Sequence, residues 1–203
     1  MLRDYMTDFE MKCITNCPHG ITECETFPLW DFPEITPGEV KKDWDAYRRL
    51  KLFEPETGKL FGKRILSVDL DVVIEGDLNE LIDYRQDFQG VSGSVSHINA
   101  SLFTLKVGTN RHVWDTFDPT TAAKIIEKKR ITGSDQGWMS IQMPKAYTWG
   151  HAHGVWTWKN LVRAPEKPKS RKVVAFAGNV KPWSDECKLR TKDLYMAYMD
   201  YLH

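Results

Sequence analysis

The amino-acid sequence predicts an α/β fold in which a mixed, mostly parallel sheet is flanked by helices. Three observations support this prediction. Short apolar segments alternate along the chain with segments of helical periodicity. The apolar run Arg64–Val68 has the length of a buried strand, and Val72–Ile74 continues in extended form. The segments 120–129 and 134–143 have the length and composition of helices.

Each predicted element follows from its local pattern. Strands are expected where short apolar runs occur between turn residues, at 11–15, 64–68, 72–74, 88–92, 101–106, 155–158 and 172–176. Helices are expected at 2–9, 40–53, 120–129, 134–143 and 185–201, together with a short helix that Asp77 caps. Within 40–53, apolar residues recur at three- and four-residue steps, and Ser134 is placed to cap the helix that follows it.

Composition limits the functional classes. The 203 residues are expected to form a single domain over 1–203. The 28 basic and 28 acidic side chains cancel, so no long-range field attracts nucleic acid or an anionic membrane. No apolar run has the length of a transmembrane segment, and the N-terminus MLRDYMTDFE carries acids where a signal peptide is apolar. We therefore expect a cytoplasmic protein with no nucleic-acid partner and no transmembrane segment.

Three of the four cysteines lie close together. Cys13, Cys17 and Cys24 lie around His19, and cysteine and histidine are residue types that bind zinc. Their spacing lacks the paired C-x-x-C of structural zinc sites, so ordinary thiols are the preferred interpretation. Disulfides are not expected in a chain without a secretion signal.

The segment KRILSVDLDVVIEGDL is the most informative part of the sequence. An apolar strand, which we expect to be central in the sheet, ends at Asp69 and Asp71, and the carboxyl ends of strands are where open α/β sheets bind ligands. Residues two apart in an extended segment point the same way, and two carboxylates on one side suit Mg²⁺ or Mn²⁺. The alternative for these residues is a capped turn. The second D-x-D, at Asp43 and Asp45, falls in a predicted helix, where the two side chains diverge into solvent.

Five segments in order carry a resemblance to a known family: RRLKLFEP, ILSVDLDVVIEGDLNEL, INASLFTLK, GSDQGWMS and AFAGNVKPW, together spanning 48–183. They resemble the glycosyltransferases related to glycogenin and to bacterial lipopolysaccharide galactosyltransferases (family 8-like), especially the short bacterial and phage members. The resemblance implies a Rossmann-like fold of the GT-A type. It also implies transfer of a hexose from a nucleotide-diphosphate sugar, with UDP-sugars favoured, to a hydroxyl of a saccharide or other acceptor.

The resemblance also implies roles for individual residues. Asp69 and Asp71 would bind Mn²⁺ or Mg²⁺, and Asp69 would also contact the donor. Asp135 and Gln136 would hydrogen-bond the transferred sugar and the acceptor. The donor's sugar and diphosphate would be contacted by Arg49, Asn99, Ser101, Gly178 and Lys181. Surface, strand-edge or helix-capping roles are the alternatives for several of these residues.

Two departures from the family pattern bear on activity. The family's closing loop begins with a histidine that binds the metal, and this position is Ala175. His151 or His153 in the segment GHAHG could substitute for it, or a surface role is the alternative. Family members also begin with a strand that holds the nucleotide base, and a helix follows this strand. The present chain resembles a family member that begins within that helix. We expect an N-terminally truncated form, with strand 11–15 at a sheet edge or bordering a gap.

Two alternatives to an active transferase remain open. An inactive or binding-only fragment agrees with Ala175 and with the expected loss of the first strand. A metal-dependent nucleotidyltransferase or phosphohydrolase could use the same carboxylates. That chemistry requires further acidic ligands or a glycine-rich phosphate loop, and the sequence has neither.

Overall fold

A computed structural model describes residues 1–30, 44–131, 135–166 and 168–201. The strands are β1 (Lys12–Ile14), β2 (Glu25–Phe27), β3 (Arg64–Val68), β4 (Val72–Ile74), β5 (Phe88–Ser92), β6 (Ile98–Lys106), β7 (Tyr147–Trp149), β8 (Val155–Thr157) and β9 (Val173–Ala175). The α-helices are α1 (Leu2–Tyr5), α2 (Pro55–Lys59), α3 (His112–Asp115), α4 (Pro119–Lys129), α5 (Asp135–Gln142), α6 (Trp158–Arg163), α7 (Asp185–Arg190) and α8 (Lys192–Met199). Trp44–Phe53 and His151–His153 are 3₁₀ helices.

The strands form three sheets. Their orders are β3-β6-β5-β7, β4-β9-β8 and β1-β2. The mixed α/β architecture predicted from the sequence is confirmed. Among the described strands, three pairings are parallel (β1 with β2, β5 with β7, β8 with β9) and three are antiparallel (β3 with β6, β5 with β6, β4 with β9). The strand pairings of the three sheets together are therefore evenly mixed rather than mostly parallel.

Apolar side chains alternate between the two faces of the three-stranded sheet. In β9, Val173 and Ala175 join a cluster with Val72 of β4, whereas Val174 joins a second cluster with Val73. This period of two is that of a strand buried on both faces. Helices α6, α7 and α8 contribute to the second cluster. The four-stranded sheet packs against the first 3₁₀ helix, α4 and α5.

The turn between β3 and β4 connects the two larger sheets. The Asp69 amide donates to the Ser101 carbonyl of β6 at 2.8 Å, and the Phe176 amide after β9 donates to the Asp71 carbonyl at 3.3 Å. The two acids predicted to bind metal are thereby held where both sheets end. Among the described strands β3 is the outer strand of its sheet, so the expectation that a central strand carries these acids is wrong.

Several predicted elements differ from those observed. The segment after Asp77 forms a turn instead of a helix, because the Asp77 carboxylate accepts hydrogen bonds from the amide and side chain of Asn79. The terminal helix is broken at Thr191 into α7 and α8. The described part of 40–53 is a 3₁₀ helix. Residues 40–43 and the predicted cap Ser134 lie outside the described residues.

Candidate functional site

Arg49 holds two of the predicted site acids together. It lies on the first 3₁₀ helix, and its Nη2 atom donates to Asp69 Oδ1 while its Nη1 atom donates to the carbonyl of Ala100 on β6. Its Nε atom is 3.5 Å from Oδ2 of Asp135, at the start of α5. One guanidinium therefore joins the acidic turn, the four-stranded sheet and α5, which fixes its direction.

The electrostatic environment of Asp69 is unusual. Burial raises the pKa of Asp69 to about 6, with Arg49 opposing the rise and with the negative charges of Asp71 and Asp135 adding to it. The side chain of Asp69 is 30% exposed, and that of Asp135 is 8% exposed. Three carboxylates in one partly desolvated site repel one another, so this site favours the binding of additional positive charge.

Lys181 reaches the acidic turn from the loop after β9. Its Nζ atom is 2.5 Å from Asp71 Oδ2, although the residues are 110 positions apart. The loop direction is fixed by Gly178, which has a φ of 82°, and by Ser184, whose hydroxyl donates to the Lys181 carbonyl at 2.7 Å. The apolar run KVVAF, followed by a glycine turn and Lys-Pro, predicts that Lys181 faces the same cleft as Asp71, and the ion pair between the two residues confirms this placement.

Asn99 and Ser101 lie beside the acidic turn on β6. Both are buried, and the Asn99 Oδ1 atom accepts a hydrogen bond from the Ser101 amide at 2.9 Å. Because the Ser101 carbonyl accepts from the Asp69 amide, this pair stabilises the backbone that presents Asp69. Gln136 follows Asp135 on α5 and is half-buried.

The metal-binding histidine of the family, which corresponds to Ala175, has no replacement among the described residues. Ala175 is fully buried and pairs with Val72, directly after Asp71, but its methyl group packs in an apolar cluster. His151 stacks on Trp156 with ring centroids 3.8 Å apart, and His153 Nε2 lies 3.0 Å from the Tyr147 hydroxyl. Within the described ranges, no three His, Cys, Asp or Glu residues cluster as a metal site, and Cys13, Cys17 and Cys24 are free thiols.

The donor chemistry nevertheless fits a hard divalent cation. Asp69 and Asp71 present carboxylate oxygens from one short turn, and Mg²⁺ and Mn²⁺ accept sites in which phosphate oxygens and water complete the coordination. Both carboxylates now face protein cations, Arg49 and Lys181, so binding of the metal would rearrange these ion pairs. The protein can provide two carboxylate ligands here.

Tyr198 is near the site and was not predicted to be there. Burial raises the pKa of Tyr198, and the negative charge of Asp71 raises it further. Its ring lies 5.4 Å from that of Trp183, two residues after Lys181 in the same loop. The sequence indicates only that Tyr198 lies on an apolar helix face, because α8 is brought to β4 by tertiary packing.

Comparison with known structures identifies the architecture. The galactosyltransferase LgtC, solved with donor and acceptor sugar analogs, matches with a TM-score of 0.61 over 96% of this chain and 86% of that chain, at 12% identity. The fold is that of a GT-A glycosyltransferase. The bifunctional glycosyltransferase WbbM matches 90% of this chain and 40% of its own length, with a TM-score of 0.51 and 15% identity. The glycosyltransferase GlyE of Streptococcus pneumoniae TIGR4 matches 89% of this chain and 50% of its own length, at a TM-score of 0.50 and 12% identity.

Sequence comparison adds no closer relationship. No family model matches the chain, and no curated protein matches it. The predicted GT-A fold is therefore confirmed by structure alone, whereas membership of the glycogenin-related family stays a prediction. The absence of a base-binding strand also stays a prediction. Among the described strands β1 pairs only with β2, so it lies at the edge of a two-stranded sheet, as expected for strand 11–15. None of the described helices has both the length and the apolarity needed to cross a bilayer.

Proposed function

We propose that this chain transfers a hexose from a nucleotide-diphosphate sugar, preferably a UDP-sugar, to a hydroxyl of a saccharide or other acceptor, with Mn²⁺ or Mg²⁺ as cofactor. One observation carries the proposal. The Asp69–Asp71 turn lies at the carboxyl end of β3 in a GT-A fold, with Arg49 on Asp69 and Lys181 on Asp71. A divalent cation on the two carboxylates would release Arg49 and Lys181 from these ion pairs, so that both could contact a diphosphate.

The leaving diphosphate is the group that needs stabilisation. A divalent cation on Asp69 and Asp71 would neutralise charge on the departing phosphate oxygens. Lys181 is held at the same turn and needs only to swing from Asp71 to reach a phosphate. A lysine serves this task as a compact charge with three donors. Gly178, with its positive φ, lets the backbone of the loop approach the diphosphate.

The sugar is the second group to be held. Asp135 is buried at the start of α5 and faces Arg49, so its carboxylate is positioned within the site. We assign Asp135 and Gln136 to hydrogen bonds with the transferred sugar and the acceptor. Arg49, Asn99 and Ser101 shape the adjoining wall, since all three contact the backbone of β6 or belong to it.

A binding-only protein is the second candidate, and Ala175 favours it. Its methyl group lies in an apolar cluster, so one protein ligand of the family's metal site is missing. A nucleotidyltransferase is less favoured, because no third acid joins Asp69 and Asp71 as a metal ligand in the described ranges. A cytoplasmic location stays an expectation from the sequence.

A donor screen separates these candidates. The chain is incubated with UDP-, GDP-, ADP- and dTDP-sugars, Mn²⁺ or Mg²⁺ and a mixture of simple saccharides, and release of nucleoside diphosphate is measured. An active transferase releases nucleoside diphosphate from one donor class, and Asp71→Asn abolishes the release. Release of sugar 1-phosphate, with the nucleoside monophosphate transferred to the acceptor, would indicate nucleotidyl transfer instead. Binding of a nucleotide without release would support the binding-only candidate.

A further inference from the structure

Lys159 lies beside the loop that carries Lys181. It is the second residue of α6, the helix that begins directly after β8. Strand pairing places it near the acidic turn: Thr157 at the end of β8 pairs with Ala175 of β9, and Ala175 pairs with Val72 of β4. The ends of β8 and β9 and the start of β4 therefore lie side by side, at strand spacings of about 4.8 Å.

The ammonium group of Lys159 points to the glycine of this loop. A Cβ atom placed on Gly178 would lie 4.0 Å from Lys159 Nζ. Gly178 lies in the turn between β9 and Lys181, so the lysine of α6 and the lysine of the loop border the same backbone segment. Since Gly178 has no side chain, a ligand at this turn has access to Lys159.

Lys159 also differs from the other cations of the site in its partners. Arg49 is engaged with Asp69, and Lys181 is engaged with Asp71. The side chain of Lys159 is exposed and makes no hydrogen bond or ion pair with any residue that the structure describes. Its charge is thus available without breaking an existing ion pair.

The charges of the site create a need for this cation. Asp69, Asp71 and Asp135 contribute three negative groups, and Arg49 and Lys181 contribute two positive ones. A nucleoside diphosphate adds two further anionic groups. Even with a divalent cation, the balance favours a further positive side chain at the edge of the site, where the phosphates would be exposed to solvent.

We propose that Lys159 is a second phosphate-binding lysine, which contacts the diphosphate of the donor across the Gly178 turn from Lys181. This inference rests on the proposed function, because it assigns a residue to the donor site. Lys159 is a binding residue in this assignment, and its contribution is to donor affinity. The long, flexible side chain of Lys159 would also let its charge follow the diphosphate as it leaves.

Calorimetry on the full chain tests the assignment. UDP, GDP, ADP and CDP are titrated with Mn²⁺ present, and the tightest ligand of the wild-type chain is used for the variants. Lys159→Gln should raise its Kd about tenfold, and Lys159→Arg should keep the Kd within about twofold of wild type. Lys145→Gln is the matched control, because Lys145 is another exposed lysine without an ion pair in the described ranges. It should leave the Kd unchanged.

The possible failures are distinguishable. Wild-type chain that binds none of the four nucleotides would overturn the proposed function and this assignment with it. Wild-type binding with an equal Kd for Lys159→Gln would overturn only the role of Lys159. An equal loss in Lys159→Gln and Lys145→Gln would indicate a general effect of net charge and would also refute it. Circular dichroism checks that each variant is folded. The variants should fold, because the substituted lysines are exposed.

Discussion

Replacing Asp69 by Asn should stabilise the chain at neutral pH in the absence of metal and nucleotide. The carboxyl group has a pKa of about 6 in the folded chain because it is partly buried, and 3.8 is its ordinary value. It therefore binds its proton more tightly in the folded than in the unfolded chain. The free energy of unfolding falls as pH rises from about 4 to about 6 and is level above that range. Asn cannot ionise and still accepts a hydrogen bond from Arg49.

The expected magnitude follows from the pKa difference. A difference of about two corresponds to roughly 3 kcal/mol in the free energy of unfolding. Because the side chain is 30% exposed, solvent screens part of this effect, and we expect about 1–2 kcal/mol. The free energy of unfolding of Asp69→Asn should exceed that of the wild type by this amount above pH 6, and the difference should shrink toward zero near pH 4. Arg49 keeps Asp135 as a partner in the variant.

Urea unfolding followed by tryptophan fluorescence, at half-unit steps from pH 4.5 to 7.5 with EDTA, measures this difference. Asp193→Asn is the control of opposite sign. Burial would raise the pKa of Asp193, but its hydrogen bond and ion pair with Arg171, at 2.8 Å, outweigh burial and lower the pKa. That variant should lose stability at neutral pH. A lower free energy of unfolding for Asp69→Asn at pH 7.5, or a constant difference from the wild type across the pH range, would show that the Asp69 carboxylate does not destabilise the folded chain.

Two further substitutions test the site. Lys181→Gln should weaken Mn²⁺-dependent UDP binding about tenfold by calorimetry. Its free energy of unfolding in urea should change by less than about 1 kcal/mol, because the ion pair of Lys181 with Asp71 is partly exposed. A large loss of stability with unchanged binding would assign Lys181 a structural role. Ala175→His should lower the free energy of unfolding by about 2 kcal/mol, since the methyl group of Ala175 is fully buried in an apolar cluster. It should not tighten Mn²⁺ binding. Tighter Mn²⁺ binding would mean that a histidine at this position can bind the metal.

The acidic turn could be predicted from the sequence because its signals are local. The apolar run Arg64–Val68 and the segment Val72–Ile74 are observed as strands with the predicted bounds. The two acids between them belong to the connection, wherever the strands are placed in the sheet. The placement of Lys181 was predictable only in part. The strand, the glycine turn and Lys-Pro set the direction of the loop locally, whereas the contact with Asp71, 110 positions away, depends on the pairing of β9 with β4.

The remaining features depend on tertiary packing. Asp77 was expected to cap a helix, but its side chain bonds the nearby Asn79, which stabilises a turn. The break at Thr191 coincides with a hydrogen bond from the indole of Trp158 to the Thr191 hydroxyl at 3.0 Å, across 33 positions. Tyr198 and Lys159 approach the site through α8 and α6. No local pattern in the sequence indicates such contacts.

The assignment of Asp69 and Asp71 to a metal and diphosphate site requires that nucleotide binding depend on the metal. UDP is titrated calorimetrically into the wild-type chain, Asp71→Asn and Asp45→Asn, each with Mn²⁺ and with EDTA. We expect the wild type and Asp45→Asn, which alters the other D-x-D segment, to bind UDP with Mn²⁺ and to lose at least about tenfold in affinity with EDTA. Asp71→Asn should show no dependence on the metal. Equal UDP binding by all three chains with and without Mn²⁺ would show that Asp71 holds no metal for the nucleotide.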